Sequence, residues 1–376
     1  MMFDSYLVTD WILVGTLLIS TIVLLYYYWV VFAKLAFHKQ TPGSAQTEPV
    51  SIIIAARNEY ENLQRYLPAI LEQDYPDFEV IVVNDCSWDE SQAWLEEYQK
   101  TQPRLRISQL IEQEKYPTGK KFALTIGIKA AKYDLLLLTD ADCQPHSNQW
   151  LKSMQSHFVK GIDIVVGFSP YEKRKGLLNL FIRYETLLTA QFYLSAALLK
   201  RPFMGVGRNL AYRKELFFKF KGFANHQHII CGDDDLFVNQ ASTPTNVAIE
   251  INPATFVQTQ PKTTFSAWGH QKIRHMNVGK LYKPADKRFL GTYYLMSVVF
   301  YLVLAAALIV NPFTWPVVGI IFGIKFISQT IVFYLCGKKL KYQSVSFYVL
   351  LLDLLYVLYL LTFGVRAFFL KRLTKW

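Results

Sequence analysis

Acidic and polar residues follow three separate apolar runs in the middle of this chain. They are Arg57-Asn58-Glu59, Asn84-Asp85 and Asp140-Ala141-Asp142. Carboxylate oxygens are ligands that suit Mg²⁺ and Mn²⁺, and such ions bridge phosphates. In an extended stretch, residues i and i+2 point to the same side, so Asp140 and Asp142 are candidates to share one cation. Any one segment could instead cap a helix, but three together favour a site.

A second candidate for phosphate chemistry is Gly119-Lys120-Lys121, which precedes the third of these runs. A glycine turn that leads into a helix N-terminus offers free backbone N–H groups, and a following lysine adds a point charge. Both suit a phosphate group, although the two lysines could also be simply solvated. The spacing lacks the rest of a P-loop, so an ATPase is a poor interpretation.

The composition favours a membrane protein. Of the 376 residues, 52% are hydrophobic, and the mean hydropathy is +0.16. The net charge of +11 comes from scattered Lys and Arg residues that form no basic stripe with stacking aromatics. This pattern argues against nucleic acid and for membrane lipids as a partner. The four cysteines form no CxxC pair, so neither a disulfide framework nor a zinc site is indicated.

Four long apolar runs are candidates for membrane-spanning helices. They cover about residues 11–32, 290–310, 313–335 and 345–365. The first run lacks the basic start and small-residue cleavage site of a secretory signal, so we interpret it as an uncleaved anchor. The predicted domains are an N-terminal anchor with its linker (1–47), a catalytic segment (48–282) and a C-terminal membrane region (283–376).

Basic residues near the ends of these runs predict the orientation. Lys34 and Lys39 follow the first run, and four basic residues between positions 280 and 288 precede the second. The positive-inside rule therefore predicts a multi-pass protein of the cell membrane with its middle segment in the cytoplasm. The basic tail after residue 370 would then lie outside, against the rule. Asp353 and Arg366 raise the alternative that the last run re-enters or lies at the interface.

The middle segment alternates short runs rich in β-branched residues with stretches of helical period. The predicted strands are 50–55, 79–83, 105–110, 135–138 and 162–166, and the predicted helices are 62–73, 92–99 and 121–131. Pro68 should bend or shorten the first helix. Such apolar strands fit an α/β fold whose parallel sheet is covered on both faces and binds ligands beyond the carboxyl ends of its strands. The stretch 176–199, interrupted by Arg183 and Glu185, is predicted to be an interfacial helix.

Several of these segments together resemble the family 2 glycosyltransferases with the GT-A fold. The resemblance is carried by Pro49–Glu59, Glu79–Asp89, Gly119-Lys120 with Ala123-Leu124, and Leu138–Asp142. It implies a GT-A domain with a mainly parallel central sheet, bracketed by about four transmembrane helices as in ceramide glucosyltransferase-like enzymes and polysaccharide synthases. The implied donor-binding residues are Ala56, Glu59 and Asp85 for the base and ribose, Lys120 for the phosphates or base, and Asp140 and Asp142 for the ribose, diphosphate and metal.

Two further segments resemble the acceptor side of that family. Gly205–Arg213 is the first, and Gln271-Lys-Ile-Arg274-His275 is similar to its Gln-x-x-Arg-Trp signature, with His275 in place of Trp. The resemblance implies acceptor or diphosphate contacts for Arg208, Asn209, Gln271, Arg274 and His275. On a simpler interpretation the second segment is a basic interfacial helix. The missing Trp weakens the case for a processive polymerase.

The segment Cys231-Gly-Asp-Asp-Asp-Leu236 stands where the family usually has Glu-Asp, with the Asp as general base. Gly232 occupies the position of the Glu, so the resemblance implies Asp233 as the base; a one-residue shift gives Asp234. Three adjacent carboxylates should raise the pKa of at least one of them, which helps a base to hold its proton. An acidic cluster that only caps a helix is the alternative.

The expected function is that of an inverting, metal-dependent glycosyltransferase that uses Mg²⁺ or Mn²⁺. It would move a sugar from a nucleoside-diphosphate sugar to a lipid or glycan acceptor at the cytoplasmic membrane face, and the inversion is implied by the resemblance alone. The alternatives are a processive polysaccharide synthase and a non-catalytic membrane protein that binds nucleotide sugars.

Overall fold

The structure is a computed structural model that describes residues 7–40, 43–112, 119–227, 229, 231–364 and 366. The chain forms two compact units. Among the described residues, the helical unit is drawn from 7–38, Leu180–Ser195 and 282–366, and the α/β unit from 39–179 and Ala196–Leu281. The α/β unit is therefore interrupted in sequence by a segment that packs in the helical unit.

Regular elements are numbered here in chain order over the described residues. The strands are β1 (Val50–Ala56), β2 (Phe78–Asp85), β3 (Leu105–Leu110), β4 (Leu135–Asp140), β5 (Cys143–Pro145), β6 (Ile164–Gly167), β7 (Leu210–Arg213), β8 (Val247–Glu250) and β9 (Val257–Thr259). The α-helices are α1 (Val8–Tyr26), α2 (Ala33–Ala36), α3 (Tyr60–Leu71), α4 (Ser91–Gln99), α5 (Lys120–Ala130), α6 (Trp150–Ser156), α7 (Leu177–Leu198), α8 (Lys214–Lys219), α9 (Asp235–Ala241), α10 (Phe265–Gly279), α11 (Pro284–Val310), α12 (Trp315–Lys339) and α13 (Val349–Tyr359).

Seven strands of the α/β unit form one sheet in the order β3-β2-β1-β4-β7-β6-β8. The pairs β1/β2, β1/β4, β2/β3 and β6/β8 are parallel, and β7 is antiparallel to both of its neighbours. The short strands β5 and β9 pair separately. The predicted α/β fold with a mainly parallel sheet is therefore confirmed.

The elements predicted from periodicity agree with the structure to within two residues at each end. Helix α3 passes through Pro68 and ends at Leu71, two residues before the predicted end. The sequence reasoning missed β5, β7, β8 and β9, because these short strands, unlike β6, contain no uninterrupted run of β-branched residues.

Strands β1 and β2 are buried on both faces. On one face, Ile52 and Ile54 of β1 and Val80 and Val82 of β2 belong to a core cluster that also contains Leu67 of α3. The register places Ala56 beside Asn84 and Ala55 beside Asp140, so the carboxyl ends of β2, β1 and β4 lie side by side.

Glu79 links neighbouring strands at the opposite end of the sheet, where β2 begins. Its carboxylate accepts hydrogen bonds from Ser51 Oγ (2.7 Å), Arg106 Nη1 (2.8 Å) and the backbone N–H of Lys132 (2.6 Å). Burial alone would raise the pKa of Glu79, but these donors more than offset it, so the pKa is lowered from its ordinary value of 4.5. The ionised carboxylate is therefore the form that holds β1, β2, β3 and the start of β4 together.

We predict that Glu79→Gln lowers the free energy of unfolding by about 1–3 kcal/mol at pH 7, because the substitution leaves buried donors poorly matched. A carboxyl with a depressed folded-state pKa contributes stability above its ordinary pKa and loses it as pH falls through the folded value. The difference in the free energy of unfolding between variant and wild type should therefore reach its full value above about pH 4.5 and shrink below it. Thermal unfolding in detergent across this range measures it. Glu97→Gln, on an exposed helix position, is the control, and a pH-independent difference would contradict the assignment.

Four helical segments of the described chain are long and apolar enough to cross a membrane. They are Val8–Ala36, Pro284–Val310, Pro312–Lys339 and Gln343–Gly364. Each overlaps one of the four apolar runs found in the sequence. In the first segment, the α-helix changes to a π-helix over Tyr27–Phe32, whose aromatic side chains pack in the helical unit.

Helix α7 packs mainly within the helical unit, although it lies between β6 and β7 in sequence. Phe192 contacts Phe32 and Tyr293 with ring centroids 5.0 and 5.1 Å apart. Arg183, which breaks the apolar pattern, is buried and lies over the ring of Tyr342. The charges that made this stretch a poor membrane span are thus used in packing, and its position relative to a membrane stays a prediction.

A buried ion pair joins four helices of the helical unit. Lys325 of α12 contacts the carboxylate of Asp353 of α13, and the two side chains are 2% and 5% exposed. The same carboxylate accepts hydrogen bonds from Tyr184 of α7 (2.9 Å), Tyr301 of α11 (2.7 Å) and Gln329 of α12 (2.8 Å). The charge of Asp353 is therefore compensated by Lys325 within the helical unit. Asp353 thus gives no reason to prefer a re-entrant last run over a last run that spans the membrane.

We predict that Lys325→Met destabilises the helical unit by about 3–5 kcal/mol, because it leaves the buried carboxylate without its counter-charge. Adding Asp353→Asn to that variant should restore most of the loss, since no net charge then stays buried and the phenols still find an acceptor. The midpoint of thermal aggregation in detergent compares the single and double variants. A double variant no better than the single would show that the pair contributes through something other than charge balance.

Candidate active site

The site lies at the edge of the sheet where the carboxyl ends of β2, β1 and β4 meet. Asp85 ends β2, Ala56 ends β1 and Asp140 ends β4. Asp85 is buried, whereas Asp140 is partly exposed. The structure therefore brings the three polar segments of the sequence to one place, as expected for parallel strands.

The loops after β1 and β2 are tied together by hydrogen bonds. The backbone N–H of Asn58 donates to Ser87 Oγ (2.9 Å), and the N–H of Trp88 donates to Asn58 Oδ1 (3.0 Å). The N–H of Tyr60, at the start of α3, donates to the Asp89 carboxylate (3.1 Å). The two loops therefore form one connected wall of the site.

Two carboxyls predicted to bind the donor line this wall. Burial raises the pKa of Asp85, and the charge of Arg57 and a hydrogen bond from the backbone N–H of Gly119 only partly oppose it. Gly119 precedes α5 with φ +124°, a conformation that favours glycine. Burial also raises the pKa of Glu59, to which the charges of Asp142 and Asp140 add. Glu59 therefore lies within electrostatic range of the acidic pair.

Lys120 is the central cation of the site. Its Nζ lies 2.8 Å from Asp140 Oδ1 and 3.0 Å from Asp233 Oδ2. The two carboxylates come from the end of β4 and from the segment before α9. The ammonium group therefore connects the predicted donor residues to the predicted base.

The neighbouring carboxyls Asp233 and Asp234 have different environments. Burial would raise the pKa of Asp233, but the adjacent Lys120 outweighs it and the pKa is lowered. Burial and the charge of Asp233 raise the pKa of Asp234. The carboxylate oxygens of Asp234 accept hydrogen bonds from the N–H of Gly207 (2.7 Å) and of Asp235 (2.8 Å). Asp234 therefore caps α9 and holds the 205–209 segment, and the raised pKa expected in this cluster falls on the capping residue.

Gly232 has φ +94°, where a side chain is strained, and an added Cβ would lie 2.6 Å from Leu236 Cδ1. A glutamate at this position, as the resembling family has, would not fit this backbone. Gly232, which replaces the glutamate usual in the family, therefore stands in a turn before the acidic cluster whose backbone conformation favours glycine.

Lys121 does not face a phosphate or solvent. It is buried, and its Nζ donates to the carbonyl oxygens of His226 (2.8 Å) and Ile229 (3.1 Å). Both interpretations offered for Lys121 from sequence are thus wrong, because α5 turns this side chain inward against the segment that leads to Asp233. His228, near the acidic cluster in sequence, lies outside the described residues, as does Thr118 before Gly119.

Asp140, Asp142 and Cys143 place one potential ligand atom each within 4.8 Å of one another. The backbone forms a turn at 141–142 rather than the extended stretch assumed from sequence, yet the turn still brings the two carboxylates together. The buried Cys143 Sγ donates to Asp142 Oδ1 (3.3 Å), and burial raises the pKa of its thiol. The two carboxylates thus suit a hard divalent cation, and the protonated thiol orients Asp142.

Cationic residues face this acidic group. The Arg208 guanidinium lies 4.6 Å from the Tyr171 ring centroid and within electrostatic range of Asp140. Nε of Arg274 is buried and has no hydrogen-bond partner among the described residues. Desolvation, followed by the charges of Lys272, Arg208 and Arg274, lowers the pKa of His275, so its ring is neutral near pH 7. Gln271 lies one turn earlier on the same helix, α10, and is partly exposed.

Asn209 does not face the site. It is fully buried; its Oδ1 accepts from Trp150 Nε1 (2.9 Å), and its Nδ2 donates to the carbonyls of Phe168 and Thr255 (2.9 Å each). Both N–H groups of this side-chain amide therefore form hydrogen bonds within the protein. The acceptor contact implied for Asn209 is therefore replaced by a role in holding the backbone next to Arg208.

Comparison with known proteins identifies the fold family. Residues 51–219 match the sequence model of glycosyl transferase family 2. Most of the α/β unit therefore carries the sequence pattern of this family. The matched range contains β1 to β4 and the donor-side residues of the site, whereas the Asp233 segment and α10 follow it.

Individual relatives support the same family 2 assignment. Glycosyltransferase AglE of Haloferax volcanii is 30% identical over 196 residues, 51% of this chain and 61% of that protein. The chain thus spans less than two thirds of this relative. A poly-beta-1,6-N-acetyl-D-glucosamine synthase of Staphylococcus epidermidis is 33% identical over 97 residues, 26% of this chain and 22% of that protein.

A solved structure shares the fold of this chain. It is a mannosyltransferase of Pyrobaculum calidifontis, determined in complex with GDP-Man and Mn²⁺. The match has a TM-score of 0.54 and 18% identity, and it covers 91% of this chain and 99% of that chain. It confirms the GT-A fold that the sequence motifs implied.

We predict that Lys121→Met loosens the segment before Asp233, because it leaves buried carbonyl groups without their donor. Such groups cost about 1–3 kcal/mol each when left unpaired. Hydrogen exchange should become faster in peptides that cover 224–235, with little change in the central strands. Lys129→Met, an exposed position on the same helix α5, is the matched control. Equal exchange in both variants would contradict the proposed role of Lys121.

Proposed function

We propose that this chain is an inverting, metal-dependent glycosyltransferase. It moves a sugar from a nucleoside-diphosphate sugar to a lipid or glycan acceptor at the cytoplasmic face of a membrane. The observation that carries the proposal is the position of Lys120 between Asp140 and Asp233. One cation within reach of both the donor-side and the base-side carboxylates is what a transfer between two substrates requires.

The donor would bind along the wall made by the loops after β1 and β2. Ala56, Glu59 and Asp85 line this wall and are suited to the base and ribose. Burial raises the pKa of both Glu59 and Asp85, and their carboxyl oxygens can accept hydrogen bonds from the base and the ribose hydroxyls. The diphosphate would then extend toward Asp140 and Lys120.

A divalent cation fits the donor end of the site. Asp140 and Asp142 supply oxygen ligands close together, and the structural relative was solved with Mn²⁺. Bound there, Mg²⁺ or Mn²⁺ would offset charge on the diphosphate as it leaves. Asp140 is available to the divalent cation because its partner in this structure is the ammonium group of Lys120. A bound diphosphate would attract that ammonium group away from Asp140.

Asp233 is the group placed to accept the proton of the acceptor hydroxyl. The low pKa that Lys120 imposes keeps it ionised at neutral pH. When a diphosphate binds Lys120, the ammonium group interacts with the phosphates instead of with Asp233. The pKa of Asp233 then rises, which makes this carboxylate a stronger base. Such a base contributes roughly 10²–10⁴-fold to a rate. Attack of the hydroxyl from the face opposite the diphosphate inverts the anomeric carbon.

Arg208, Gln271, Arg274 and His275 would complete the site on the acceptor and diphosphate side. The unpartnered Nε of Arg274 is consistent with a guanidinium that awaits an anionic ligand. The neutral ring of His275 can donate or accept a hydrogen bond without adding charge. The positive-inside pattern of the helix ends supports a cytoplasmic position for the site, in the cell membrane.

The test is release of nucleoside diphosphate from a panel of nucleotide sugars by membranes that contain the protein, with Mg²⁺ or Mn²⁺ and native lipids as acceptors. We expect turnover with one donor, its loss on chelation of the metal, and a decrease of at least 10²-fold in Asp142→Ala and Asp233→Asn. Asp134→Asn, an exposed carboxyl at the amino end of β4, is the control and should keep full activity.

Product length in the same assay separates a single transfer from polymer synthesis. Donor binding without turnover on any acceptor would favour a non-catalytic nucleotide-sugar-binding protein. Turnover that survives both Asp142→Ala and Asp233→Asn would refute the assigned roles.

A further inference from the structure

Two large apolar side chains are exposed at the ends of β2 and β3. Trp88, in the loop after β2 that forms part of the donor wall, is 79% exposed, and Ile111, directly after β3, is 73% exposed. By contrast, Trp150 of the same unit is fully buried. Exposing so much indole surface forfeits the stabilisation that its burial would give.

Trp88 and Ile111 follow the neighbouring strands β2 and β3 and are here called the rim. In the parallel pairing of these strands, Asp85 lies beside Leu110, so the next residue, Ile111, lies at the same end of the sheet as the loop that carries Trp88. The backbone N–H of Trp88 donates to Asn58 Oδ1 at 3.0 Å, which ties that loop to the loop after β1.

Arg57 adds a cation to the rim. Its Cζ lies 5.7 Å from the Trp88 ring centroid, within the range of a cation–π interaction, and its charge acts on Asp85. The contact orients the indole but leaves most of its surface accessible. A planar, partly polar ligand that stacks on an aromatic ring and hydrogen-bonds at its edge fits this combination of groups.

We propose that Trp88 is a specificity-determining residue that stacks on the nucleobase of the donor, with Ile111 closing the rim and Arg57 fixing the indole. The inference rests on the proposed function, since it assigns the base end of that donor. Among the groups of a nucleotide sugar, only the base offers a flat π face; the sugar and diphosphate do not. Trp88 thus recognises the base, while Lys120 and the acidic pair act on the diphosphate.

The experiment is calorimetric titration of the purified full-length protein in detergent with nucleoside diphosphates and Mn²⁺, and separately with pyrophosphate and Mn²⁺. Stacking on an aromatic side chain gives about 5- to 150-fold in affinity per base. We expect Trp88→Ala to weaken nucleoside diphosphate binding within this range and leave pyrophosphate binding unchanged. Trp88→Phe should retain most of the affinity. Trp94→Ala, which removes an indole stacked on Tyr98 away from the rim, is the control.

The outcomes separate this inference from the function on which it rests. If wild type binds a nucleoside diphosphate and Trp88→Ala binds it equally well, the stacking role is wrong while the proposed function stands. An equal loss for nucleoside diphosphate and pyrophosphate would also overturn it, since the substitution would then have disturbed the diphosphate end. If wild type binds no nucleoside diphosphate in the panel, both proposals fail.

Discussion

The balance of charge around one ammonium group organises the site. Lys120 begins α5, where the helix dipole favours anions, so its positive charge is disfavoured there unless carboxylates lie close by. Asp140 and Asp233 meet that requirement at 2.8 and 3.0 Å, and they join the end of β4 to the segment before α9. Lys121, the next residue, holds the same segment through backbone carbonyls. Two adjacent lysines on α5 therefore determine where the proposed base lies relative to the proposed donor carboxylates.

Each compact unit contains a lysine that pairs with a carboxylate, but the two pairs differ in how exposed they are. In the helical unit, Lys325 and Asp353 are almost fully buried, and the carboxylate also accepts bonds from two tyrosines and a glutamine. In the α/β unit, Lys120 and Asp140 are 24% and 29% exposed, and Lys120 also contacts Asp233. The first pair is closed to solvent and joins helices. The second is reached by solvent, so under the proposed function Lys120 could exchange a carboxylate partner for a phosphate.

Sequence reasoning worked where a local pattern carries the information. The apolar runs that became β1 to β4 are long enough to be distinguished from loops, and their order requires the polar segments at Asp85 and Asp140 to meet. It failed at Asn209, Lys121 and the pairing of Lys325 with Asp353, because each role depends on a partner distant in sequence. Asn209 illustrates the reason: nothing in its neighbours shows that Trp150, Phe168 and Thr255 will consume its amide. Residue type predicts chemistry, but only packing decides which way a side chain points.

The choice between Asp233 and Asp234 as the base follows from what each carboxylate is already bound to. Asp234 is tied by two backbone N–H groups that belong to the fold, and releasing them would free both the start of α9 and the 205–209 segment. Asp233 is held by a side-chain cation whose partner can change during a reaction. Gly232 is part of this arrangement: its φ of +94° sets the turn that leads into the two carboxyls and excludes the glutamate usual at that position. A proton acceptor must exchange partners while its backbone stays in place, so of the two carboxyls Asp233 is the one that we propose as the base.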